Sequence, residues 1–150
     1  MDRSLGRLAR WLRLLGLDAA FDSGMQDETL LRLAGEGRIV ITRTRSVAAR
    51  LGPEKAVWIG ANSPLDQLAQ AARSLGLSLD PGAVFTRCLS CNREVLPLDR
   101  DNARSRVPDY VFRTAESFSA CPVCGRVFWK GTHRDRALAL VRKALRAGSD

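Results

Sequence analysis

The chain has four cysteines, and they fall in two pairs of identical spacing, Cys88-Leu89-Ser90-Cys91 and Cys121-Pro122-Val123-Cys124. Each pair sets two thiols on either side of a tight turn, and two such turns meeting across a folded insert offer four sulfurs to one ion. Zn²⁺ accepts four thiolates in a tetrahedron, so structural zinc is the expected guest; with no ligand position left open, the site is not catalytic. Gly125, directly after the second pair, suits a backbone position with positive φ. Two other uses of the cysteines compete with this one. A redox dithiol needs one C-x-x-C beside a βαβ unit, not two pairs. Two disulfides suit a secreted chain, whereas Arg3, Arg7, Arg10 and Arg13 interrupt the N-terminal apolar residues that a signal peptide keeps together.

A chain of 150 residues accommodates one ordinary domain, or a small domain joined to a metal-stapled module that needs little core of its own. The cysteines favour the second arrangement, with a boundary at Asp80-Pro81-Gly82: an α/β domain over residues 1–80 and a zinc ribbon with a basic C-terminal helix over residues 81–150. No apolar run reaches the length of a bilayer crossing, so no membrane partner is expected, and reduced thiols point to the cytoplasm. The net charge of +8 directs attention to a polyanionic partner. That charge is uneven: residues 1–80 carry eleven Lys/Arg against nine Asp/Glu, a net of +2, and residues 81–150 carry thirteen against seven, a net of +6. A solvated surface with no partner is the plain alternative, but an arginine-rich ribbon is a common route to phosphate contacts.

Along the first half, residues 3–15 read as an amphipathic helix: Leu5, Leu8, Leu12 and Leu15 form the core arc, and Arg3, Arg7, Arg10 and Arg13 the opposite, basic one. Asp18 to Phe21 is expected as a short strand, Asp22-Ser23-Gly24 as a turn, and Asp27 as the cap of a helix that turns Leu30, Leu31, Leu33 and Ala34 inward. Arg38 to Thr42 and Ala56 to Ile59 are expected as buried parallel strands separated by a helix from Thr44 to Leu51. Ser63-Pro64 caps a helix that ends at Leu75-Gly76. The alternation gives a small parallel α/β sheet, and the strand that usually opens such a sheet is missing before the first helix. In the second half, Val84 to Arg87 and Glu94 to Leu98 are expected to flank the first cysteine pair as antiparallel strands. Val127 to Trp129 leaves the second pair as a strand, and a last helix carries Leu138, Val141 and Leu145.

In an open parallel sheet, ligands bind beyond the carboxyl ends of the strands. Asp2, Asp22, Asp27 and Glu28 fall at such places, and clustered carboxylates that hold Mg²⁺ or Mn²⁺ beside basic residues are what phosphodiester hydrolysis needs. Each acid also has an ordinary use: Asp27 as an N-cap, Glu28 on the helix dipole, Asp22 in a turn.

Asp2 to Gly16, the Asp27-Glu28 helix start, Gly37 to Arg43, Arg87 to Cys91 and Cys121 to Trp129 resemble the Mut-seven C-terminal (Mut7-C) RNase domain family across nearly the whole chain. The resemblance implies a PIN-like ribonuclease fold followed by a zinc ribbon, with RNA as the partner. It implies that Asp2 and Asp27 belong to an acidic metal site, with Glu28 or Asp22 as helpers. Where the family pattern resembles Leu-Thr-Arg-Asp, this chain reads Ile41-Thr42-Arg43-Thr44, which removes one carboxylate. Arg3, Arg7, Arg10 and Arg43, with Lys130, His133 and Arg134 of the second half, are the expected RNA-binding residues. Trp11 and Trp129 are candidate stacking residues that also suit a core. Three readings follow: a Mg²⁺- or Mn²⁺-dependent ribonuclease, an RNA-binding module disabled at Thr44, and a zinc-ribbon adaptor that binds protein.

Overall fold

The computed structural model describes residues 1–148. Helix α1 (Gly6–Leu14) is followed by α2 (Asp27–Gly35), strand β1 (Val40–Thr42), α3 (Arg45–Leu51), strand β2 (Ala56–Trp58) and α4 (Pro64–Leu75). Strand β3 (Leu96–Leu98), short helices α5 (Arg100–Ala103) and α6 (Asp109–Thr114), strands β4 (Phe118–Ala120) and β5 (Val127–Trp129), and α7 (Thr132–Ala147) complete the order. The fold is mixed α/β: β1 and β2 pair in parallel, with Val40 opposite Ala56, while β3, β4 and β5 form an antiparallel sheet in that order.

The largest core is built from the N-cap and apolar arc of α1, with Leu5, Leu8 and Leu12 buried in one cluster with Ile41 and Val57 of the parallel pair and Leu68 of α4. Each fully buried leucine of this kind contributes about 2 kcal/mol. Helix α7 returns to the same core through Val141, Ala144 and Leu145. Arg73 of α4 donates to the carbonyls of Ala147 (2.9 Å) and Gly148 (3.3 Å), placing a cation at the end of α7 where the helix dipole favours one. Helix α4 has the ends its sequence specifies. Ser63 Oγ accepts from Asp66 N, Pro64 opens the first turn, and Gly76 closes the helix in a left-handed conformation.

The insert between the cysteine pairs, polar by composition, has a small core of its own, in which Ala103, Val107, Val111, Ala115 and Phe118 are buried. Arg100 lies over the Phe112 ring and donates to the Ala115 carbonyl at 2.9 Å and to the Phe112 carbonyl, tying α5 to α6.

Several expected elements differ from what forms. Helix α1 begins at Gly6, so Arg3 lies before it. Asp18 to Phe21 is not a strand, because its backbone groups are taken elsewhere. Arg38 Nη2 takes the Asp18 carbonyl, Arg13 Nε the Ala19 carbonyl, and Asn92 Oδ1 the Ala19 N–H. Strand β1 is shorter than expected, with Ile39 52% exposed. Of the four α2 residues expected inward, Leu30 and Ala34 are buried while Leu31 and Leu33 are half-buried. Val84 to Arg87 is a turn with a single antiparallel bridge, Arg87 to Glu94, since the Phe85 N–H goes to Leu14 O; Leu96–Leu98 pairs with β4 instead.

Candidate functional site

The two cysteine turns are near copies of each other. In the first, Asn92 N donates to Cys88 O (2.8 Å) and Cys88 N to Arg93 O (2.7 Å); in the second, Gly125 N donates to Cys121 O (2.9 Å) and Cys121 N to Arg126 O (2.9 Å). The residue after each second cysteine is left-handed, Asn92 at φ 62° and Gly125 at φ 70°, and these are the two residue types that take such a backbone most readily. The four Sγ atoms lie within 4.8 Å of one another. The Cys88 and Cys124 sulfurs are 3.8 Å apart, well beyond a disulfide bond of about 2.05 Å. A tetrahedron with Zn–S bonds of about 2.3 Å has edges of about 3.8 Å, so the donor set fits zinc in both chemistry and spacing.

As thiols the four are unequal. Hydrogen bonding with Cys124, then burial, pushes Cys91 up to about 12. Burial is the largest single influence on Cys121 and pushes it up, but the backbone N–H groups of Cys124 and Val123, together with hydrogen bonds from the Cys124 and Cys88 sulfurs, outweigh it and bring Cys121 to about 7. A cation among the four sulfurs favours the thiolate form of each, which is the form that ligates a metal.

The first turn is docked onto the α/β half by side chains. Arg13 lies one turn beyond buried Ala9, at the edge of the core arc of α1, and is itself only 5% exposed. Its Nη1 donates to the carbonyls of Leu89 and Ser90, and its Nε to Ala19 O, all at 2.9 Å. The expected place of Arg13 on the basic arc is thus corrected: its charge is spent on carbonyls inside the protein. Asn92 Nδ2 donates to Asp18 Oδ1 (2.6 Å), and Arg87 Nε to Gly16 O (3.0 Å). Gly16 has φ 87°, and a Cβ there would stand 2.3 Å from the Ala83 carbonyl oxygen.

Asp2, Asp27, Glu28 and Thr44 line one recess of about 260 Å³ beyond the end of β1. Asp2 is held there by five donors: Ser4 N (2.9 Å) and Ser4 Oγ (3.0 Å) on one oxygen, and Thr42 Oγ1 (3.1 Å), Arg43 N (3.1 Å) and Thr44 Oγ1 (3.5 Å) on the other. Burial pushes its carboxyl up, but these hydrogen bonds outweigh burial and hold it below the ordinary carboxylate range. Gln26, not Asp27, is the N-cap of α2. Among the described residues, Asp27 and Glu28 are exposed and take no hydrogen bond or ion pair. Asp22 lies apart, accepting from Gly24 N at 2.6 Å in a turn. The cysteines are the only described residues that converge tightly enough to form a metal cage. The acids are a looser oxygen set, of the kind Mg²⁺ uses when it keeps most of its waters.

The expected RNA-binding residues divide between two places. Arg3, Arg7, Arg10 and Arg43 line one groove of about 660 Å³ together with Asn62 and Ser90. Lys130, His133 and Arg134 line another recess of about 530 Å³, between β5, α6 and the first turn of α7, with Tyr110 and Trp129. Trp11 is half-buried against the main core. Sequence reasoning missed the roles of Arg13 and Asn92; the available signal was position, Arg13 one turn after Ala9 and Asn92 where the second turn has Gly125.

Among the described residues, no helix is long and apolar enough to cross a membrane. No curated protein and no solved structure matches the chain significantly. The Mut7-C RNAse domain family matches residues 1–141, and the chain belongs to that family.

Proposed function

We propose that this protein is a ribonuclease that holds the RNA backbone in the arginine-lined groove and cleaves a phosphodiester at the recess of Asp2, Asp27 and Glu28. The observation that carries this reading is that Arg3 lines both places, so a strand lying along the groove brings its phosphates to the carboxylates. Arg7, Arg10 and Arg43 are exposed and supply the sequence-independent contacts that fix a backbone in register. Asp27 and Glu28, with no protein partner among the described residues, would hold Mg²⁺ or Mn²⁺ together with Asp2. Such an ion supplies Lewis acidity to the phosphate and lowers the pKa of a bound water. The four cysteines stabilise the ribbon that completes one wall of the groove through Ser90, and their need for reduced thiols suits the cytoplasm.

One observation favours a second reading, an RNA-binding module without turnover. Thr44 presents a neutral hydroxyl to Asp2, whose oxygens already accept five hydrogen bonds, so the negative charge available to a cation is small.

Cleavage of labelled RNAs with Mn²⁺ or Mg²⁺ separates the two. Turnover by the parent that chelator and Asp27→Asn abolish supports the nuclease. Binding without turnover, with cleavage appearing in Thr44→Asp, supports the disabled module. Absence of both binding and cleavage overturns both readings.

A further inference from the structure

We propose that the recess between β5, α6 and the start of α7 is a second RNA subsite that stacks an unpaired base, so that the protein selects single-stranded RNA. The inference rests on the RNA reading above and extends it to a substrate class.

Three observations carry it. The first is the lining. Tyr110, 65% exposed, comes from α6, and Phe128 and Trp129 come from β5. Every base has a π-face, so aromatic side chains in a groove hold unpaired bases with little regard to sequence. The second is charge. Lys130 and His133 are exposed on the same recess, and neither is ion-paired among the described residues. They can meet the phosphates flanking a stacked base. The third is continuity. Leu89, in the first cysteine turn, lines both this recess and the arginine groove, just as Arg3 joins that groove to the acidic recess. The three form one track, from aromatic rings past arginines to carboxylates.

Phe85 adds to this. Among the described residues it is one of two non-glycines at positive φ, 62°, and it lines the recess with the Arg134 guanidinium 4.3 Å from its ring centroid. A bulky side chain rarely adopts that backbone, and here it sets an aromatic ring and a cation at the wall of the recess. A paired base keeps its faces stacked within the duplex and cannot enter such a site, whereas a single strand can.

The test compares binding of a fluorescently labelled single-stranded RNA and a duplex of the same length to the parent, Tyr110→Ala, Tyr110→Phe, Lys130→Ala and Arg7→Ala. Tyr110 is exposed and its side chain makes no hydrogen bond among the described residues, so its truncation leaves the fold intact. Tyr110→Ala is expected to weaken single-strand binding roughly 5- to 100-fold, with Tyr110→Phe near the parent and duplex binding unchanged. Arg7→Ala is expected to weaken both RNAs alike. If the parent binds RNA and Arg7→Ala weakens it while Tyr110→Ala does not, the stacking subsite is overturned and the RNA reading stands. Equal losses on both RNAs in Tyr110→Ala also overturn it. If the parent binds neither RNA, both proposals fall.

Discussion

Thr44 Oγ1 lies 3.5 Å from Asp2 Oδ2, so a hydroxyl faces the carboxylate across the acidic recess. Thr44→Asp would set two negative charges side by side, and such a pair repels unless a cation lies between them. Asp is a good N-cap, and Thr44 is the N-cap of α3, so the helix keeps its start. Mn²⁺ is therefore expected to raise the melting temperature of the variant by clearly more than that of the parent. Equal shifts would argue against a cation in this recess.

Asp2 and Asp18 contribute to the acid limb of stability. Asp2 is held low by its hydrogen bonds despite burial, and Asp18 is held low by hydrogen bonds from Arg38 and Asn92. A carboxylate with a depressed folded pKa stabilises the fold above its unfolded pKa, about 3.9, and loses that contribution as pH falls through the folded value. The difference in urea midpoint between the parent and Asp2→Asn should be level from neutral pH to about pH 5 and shrink below about pH 4. Asp2→Asn should lower the midpoint at neutral pH and lose less of it on acidification. An unchanged profile would mean that the five donors around Asp2 add nothing to stability.

The sulfur tetrad predicts one zinc per chain in protein prepared under reducing conditions, measured by elemental analysis. Binding energy at such a site is folding energy, so Cys121→Ser or a strong chelator should unfold residues 84–130. Amide hydrogen exchange would show this as lost protection at Cys88, Asn92 and Gly125, whose N–H groups close the two turns. Full protection in zinc-free protein would contradict it.

Arg13 and Arg7 belong to one helix but should fail in different assays. Arg13→Ala leaves three carbonyls without their charged donor and is expected to cost about 3 kcal/mol or more in urea unfolding. Arg13→Lys should recover only part of this, because an ammonium cannot reproduce the guanidinium fork. Arg7→Ala should leave stability within about 0.5 kcal/mol, and reduce the slope of log K against log salt for single-stranded RNA by about 0.7. A salt slope unmoved by Arg7→Ala would remove it from the RNA path.

Gly16→Ala should destabilise by about 2 kcal/mol or more, since the new Cβ meets the Ala83 carbonyl on a left-handed backbone. A neutral result in thermal or urea unfolding would mean that the turn after α1 can move away from Ala83.

Much of this was legible because it depends on local spacing. The C-x-x-C pairs locate the tetrad, the leucines of α1 mark its buried arc, and Ser63, Pro64 and Gly76 fix both ends of α4. What stayed hidden depends on partners far along the chain. Asp18 to Phe21 has the composition of a strand, but Arg13, Arg38 and Asn92 claim its backbone. No local pattern announces an asparagine more than seventy residues away. Asp27 shows a subtler limit: the sequence fits a cap, yet the helix starts one residue earlier and leaves the carboxylate free to face the recess. The arginines were identified by type, but that they fall in two separate places followed only from the path of the ribbon.

The two cysteine turns present their sulfurs alike but differ mechanically, because of the one residue after each second cysteine. Gly125 has no side chain, and outside its own turn only its carbonyl is engaged, accepting from Arg106 of the insert within the same ribbon. Asn92 takes the same left-handed backbone and also reaches Asp18 and Ala19, which makes the first turn a hinge pin shared by both halves. Loss of an ion from the four sulfurs would then be felt as slack between α1 and the ribbon, along the groove that Ser90 and Arg10 both line.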